Sequence, residues 1–105
     1  MRHPKSRISY PRKDVIAVLR TLNELVVSLD QLGSASYDMT KEASNAALSD
    51  FLRRHKIYRK TAAARRILSA PFSTVLGADE MDELERAMQD VKYWKIERGN
   101  DDALF

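Results

Sequence analysis

Residues 14–32 read Asp-Val-Ile-Ala-Val-Leu-Arg-Thr-Leu-Asn-Glu-Leu-Val-Val-Ser-Leu-Asp-Gln-Leu, and this run decides the fold class. Val15, Val18, Leu22, Leu25, Leu29 and Leu32 recur at alternating steps of three and four, the period of a helix. Ile16, Leu19, Val26 and Val27 widen the stripe beyond a two-stranded seam, which predicts a helix with more than one neighbour, as in a bundle. Pro11 suits the first turn, where its missing N–H is harmless, and Asp14 suits the positive end of the helix dipole. Gly33 is the expected stop.

Downstream, Ser34, Ser36, Asp38 and Thr40 all have the chemistry of a helix N-cap. A second helix is expected from about Thr40 to His55 or beyond, with Leu48, Phe51 and Leu52 as its apolar anchor. The pattern leaves open whether that helix continues through Lys56 or restarts at Thr61; Pro71 ends it. Asp79 is the expected cap of a last helix. Glu80, Asp82 and Glu83 lie in its first turn, Met81, Leu84, Met88 and Val91 on its inner stripe, and Gly99 at its close. The predicted architecture is all-α, an up-and-down helical bundle of three to four helices. Residues 1–10 read as a basic flexible arm, 11–99 as one bundle domain and 100–105 as a tail.

Composition agrees with that reading. The 105 residues are 44% hydrophobic and 31% charged, the balance of an ordinary globular chain rather than a disordered one. Only three Gly and three Pro leave room for few turns, which favours long helices over many strands. There is no Cys, so disulfides and thiolate chemistry are excluded. No apolar run approaches the roughly 20 residues of a membrane span, so an integral membrane protein is not expected. By default the chain is expected to be soluble and cytoplasmic.

The net charge of +3 conceals strong segregation. Arg53, Arg54, Lys56, Arg59, Lys60, Arg65 and Arg66 give residues 51–66 a charge of +7. Such a segment reads as a docking face for an acidic protein or nucleic acid, with Tyr58 as a stacking group. The plainer reading is that the acidic run Asp79 to Glu85 neutralises it from within. Trp94, beside Tyr93, reads either as a cap on one end of the core or as a binding hot spot. No helix-turn-helix or ribonucleoprotein motif accompanies the basic residues.

Nothing in the chain resembles a catalytic constellation. His3 falls in the basic arm, and His55 has no nucleophile or orienting partner near it in sequence. The acids from Asp79 to Glu85 are spaced around a helix rather than on one face, and no phosphate-binding loop is present. The expectation is a protein without catalytic residues, metal or cofactor, and with no small-molecule substrate.

Tyr10 with Asp14-Val15-Ile16-Ala17-Val18, then Thr21-Leu22 and Glu24, resembles the opening helix of the small lumenal photosystem II assembly proteins. Tyr58-Arg59-Lys60 is similar to the basic end of that family's second helix, and Glu97-Arg98-Gly99 to the close of its last. The family's third helix has no good counterpart between Thr61 and Leu76. The resemblance implies a four-helix bundle without a catalytic site that docks on an assembling, thylakoid-associated membrane complex. The expected function is therefore that of a non-enzymatic accessory or assembly factor on a larger protein complex. Its partner-binding residues are taken to be the seven cations above and Trp94. The alternatives are a small nucleic-acid-binding regulator using residues 53–66, and a homodimer formed through helix one.

Overall fold

The computed structural model describes residues 7–96, which contain four α-helices and no strand. His3, Gly99, the first six residues of the expected arm and the tail 100–105 lie outside the described residues. The described chain forms two compact units, residues 7–72 and residues 73–96.

In the first unit α1 spans Arg12–Ser36, α2 Lys41–Arg54 and α3 Ile57–Ser69, and each of the three packs on the other two. Thr40, alone of the four candidate caps, begins α2, its hydroxyl accepting the Ala43 N–H at 3.0 Å. The break between α2 and α3 comes earlier than Thr61. Lys56 adopts the left-handed conformation, φ 54° and ψ 45°, and α3 starts at the next residue. Helix α3 stops at Ser69, two residues before Pro71.

Side-chain contacts fix how these helices run. The 37–40 connection returns α2 against the second half of α1, and His55 at its end reaches Glu24. Lys60 of α3 also reaches Glu24, while the Tyr10 hydroxyl donates to the Leu68 carbonyl. Helices α2 and α3 thus follow one another along α1, α2 beside its second half and α3 beside its first.

One layer of neighbours cannot cover the wide stripe of α1. Its inward seam is Asp14, Val18, Thr21, Leu25, Ser28 and Leu32, all buried or half-buried. Val15, Leu19, Leu22, Val26 and Leu29 form a second seam that stays 40–65% exposed. Three residues of the expected inner stripe, Val15, Leu22 and Leu29, therefore point outward. The core centres on Val18, Phe51 and Ile57, one from each helix.

Helix α1 also runs three residues past its expected stop. Gly33 lies within it, and the Ser36 hydroxyl donates back to the Gly33 carbonyl at 2.6 Å.

The second unit differs most from expectation. Its only described helix is the short α4, Glu83–Ala87. Asp82 caps it in a reciprocal box with Glu85, so the start lies downstream of Asp79. Asp79 is engaged elsewhere: it accepts the Met81 N–H and two hydrogen bonds from the Arg86 guanidinium at 2.8 Å each. Glu80, at φ 63°, turns the chain between them. Gly77 leaves room for that clamp, since a β-carbon there would stand 2.6 Å from the Arg86 guanidinium. The expected inner stripe ends with α4. Residues 91–96, Val-Lys-Tyr-Trp-Lys-Ile, are not helical, in keeping with the low helix propensity of β-branched and aromatic side chains.

Candidate partner-binding surface

The seven cations of residues 51–66 fall into two groups once folded. Arg54 pairs with Asp50 one turn earlier at 3.2 Å, and Lys60 with Glu24 at 2.8 Å. Among the described residues, Arg53, Lys56, Arg59, Arg65 and Arg66 make no ion pair, and all five are exposed.

Helix α3 arranges most of these side chains. At 100° per residue, Tyr58 and Arg65 share one strip of its surface, and Arg59 and Arg66 share the next. Residues seven apart lie about 10 Å apart along the axis. The opposite side carries Ile57, Thr61 and Ala64 toward the core, with Lys60 at its edge. The small side chains of Ala62, Ala63 and Ala64 are half-buried. Tyr58 stands 82% exposed beside the arginines, with its ring available for stacking.

Glu24 anchors the inner edge of this surface. Its carboxylate takes the Lys60 ammonium on one oxygen and His55 Nδ1 on the other, at 2.8 and 3.0 Å. The Lys60 hydrogen bond, followed by the His55 one, holds Glu24 below its ordinary value of 4.5. The His55 ring also lies against Phe51, with centroids 5.4 Å apart. His55 is thereby a joint between α1 and α2.

In the second unit the acids expected to neutralise the basic segment have local roles. Asp79 clamps Arg86, which lowers its pKa from 3.8 to about 2. Asp82 and Glu85 close the capping box, and Glu83 accepts the Ser73 N–H at 3.0 Å. Trp94 is 84% exposed, and Tyr93 beside it is exposed as well. The surface therefore keeps five of the seven expected cations unpaired, adds Tyr58, and leaves Trp94 as a separate exposed aromatic in its own unit.

Sequence reasoning marked the basic residues but not that Lys60 was already paired, because Glu24 lies 36 positions before it; the Arg54–Asp50 pair at i, i+4 was the one local spacing could have found. No described helix is long and apolar enough to cross a membrane. Comparison with protein-family models, with curated proteins and with solved structures finds no match to this chain.

Proposed function

We propose that this protein is a non-enzymatic accessory factor that docks on a larger assembly through the outward face of α3. The observation that carries this reading is that Arg59, Arg65 and Arg66 of α3 are exposed without an ion-pair partner among the described residues, on the same helix as the exposed Tyr58, with Lys56 just before the helix and Arg53 on α2 likewise unpaired. Unpaired arginine beside an aromatic ring is the composition of a recognition surface, because it combines charge steering with a flat apolar contact. The one histidine in the described residues serves as a helix joint, and Asp79, Asp82, Glu83 and Glu85 of the second unit serve its local structure. The complex implied by the resemblance of Tyr10 and residues 14–24, an assembling photosystem, is one candidate host.

Arg59→Glu, Arg65→Glu and Arg66→Glu together test the reading. The triple variant keeps its helical circular-dichroism signal and loses capture of the partner from the native source. Arg54→Glu, whose guanidinium already pairs with Asp50, has a much smaller effect. Equal capture by the triple variant and the unaltered chain would remove the basis of the proposal.

The exposed Tyr58 supports a second reading, a nucleic-acid surface in which the ring stacks on a base. That reading requires affinity to fall with salt at a logarithmic slope of about −4 to −5 for five phosphate contacts on duplex DNA. It also requires nuclease to abolish capture. Capture that survives nuclease favours the protein partner.

A further inference from the structure

We propose that residues 91–96 form a docking strand that adds to the open edge of a β-sheet in a partner protein. The segment reads Val-Lys-Tyr-Trp-Lys-Ile, and four of its six side chains are of the β-branched and aromatic types that favour strands. It takes no helical structure, and all six residues are exposed, Trp94 at 84% and Tyr93 at 67%. Its main chain is equally unclaimed: among the described residues, the N–H groups and carbonyls of residues 92–96 make no hydrogen bond to other main-chain groups. The described residues contain no strand that could pair with it. In an extended strand Val91, Tyr93 and Lys95 fall on one face and Lys92, Trp94 and Ile96 on the other. Each face is then two apolar side chains with a lysine at one end. This is the composition of an added strand, in which main-chain hydrogen bonds supply affinity and alternate side chains supply specificity.

The lysines and the shortness of the segment select the occupant. Pairing all six residues with a second copy, antiparallel, sets Lys92 of one chain against Lys95 of the other, twice, and like charges directly opposite are destabilising. Two copies would also form only a two-stranded ribbon, which is marginal in water, whereas a sheet edge supplies the further strands that stability needs. Neither lysine has an ion-pair partner among the described residues. The fitting edge therefore offers unpaired main-chain groups, acidic side chains opposite Lys92 and Lys95, and apolar residues opposite Val91, Tyr93, Trp94 and Ile96. The strand belongs to the second unit, and its docking stands apart from the role proposed for the arginines of α3.

Titration of the full chain with a disulfide-closed β-hairpin peptide whose open edge reads Val-Glu-Val-Val-Glu-Val tests the proposal. Trp94 is the one tryptophan of the chain, so its emission reports the segment. The peptide is expected to shift that emission to shorter wavelength, saturably, and the same peptide with the amides of its open edge N-methylated to leave it unchanged. Lys92→Pro and Lys95→Pro remove N–H groups from opposite edges of the strand, so one is expected to abolish binding and the other to keep it. Lys92→Thr and Lys95→Thr, which keep both N–H groups, are expected to bind within a few-fold of the unaltered chain. All four variants should keep the helical circular-dichroism signal. The proposal is overturned by an emission unmoved by the peptide, by equal shifts with the methylated and unmethylated peptides, or by two proline variants that behave alike. An emission that shifts with the chain's own concentration in the absence of peptide overturns it too, since a second copy would then cover the segment.

Discussion

Glu24 accepts a hydrogen bond from a different helix on each oxygen, Lys60 of α3 on Oε1 and His55 at the end of α2 on Oε2. An ionised carboxylate only accepts, so both nitrogens donate, and the joint needs Glu24 charged. Its pKa is held below 4.5 by Lys60 first and His55 second. The unfolded chain therefore takes up the proton before the folded one does as the pH falls. The contribution of Glu24 to stability is complete above about pH 4.5 and is lost as the pH drops through the lower folded value. Glu24→Gln is expected to melt at a lower temperature than the unaltered chain at pH 7. The difference should shrink below about pH 4.5 and close once both chains are uncharged at this position. Thermal melts followed by circular dichroism from neutral to acid pH check this, and two curves that stay parallel would assign the acid sensitivity to other groups.

At the scale of elements, two positions hold residues opposite to what their backbone favours. Gly33 lies inside α1 with nothing within 4 Å of where a β-carbon would go, so it carries the entropic cost of glycine without using its freedom. Gly33→Ala is expected to stabilise the folded chain by about 0.5–1 kcal/mol in urea titration. Lys56 takes the left-handed conformation between α2 and α3, where a side chain is strained. Lys56→Gly is expected to gain up to roughly 1 kcal/mol, since relief of that strain exceeds the added freedom of the unfolded chain. The same two residues explain where the sequence misled. Glycine at position 33 reads as a stop, yet no left-handed turn is formed there, and lysine at position 56 gives no sign of one. Helices α1 and α2 were legible because each carries an apolar stripe at helical spacing, whereas the break before α3 at Lys56 was not, since the segment stays helix-prone on both sides of it. Helix α4 was placed too early because Asp79 and Asp82 are both good caps in sequence. Only the long-range clamp of Arg86 on Asp79 removes the first from that role. The basic residues of the candidate surface were legible as a set. The Arg54–Asp50 pair lies at i, i+4 on one helix, but that Lys60 is paired depends on how α1 meets α3, which local spacing does not encode.

For the molecule as a whole, residues 7–72 hold Val18, Phe51 and Ile57, the three buried apolar side chains among the described residues. Phe51 is buried and lies against the His55 ring, so Phe51→Ala leaves a cavity that one layer of helices cannot refill. A loss of about 3–5 kcal/mol is expected, comparable to the whole stability of a domain with so thin a core, and the variant should lack a cooperative thermal transition. The width of the stripe was visible in the sequence, but which edge meets α2 and α3 was not, because both edges share the same period.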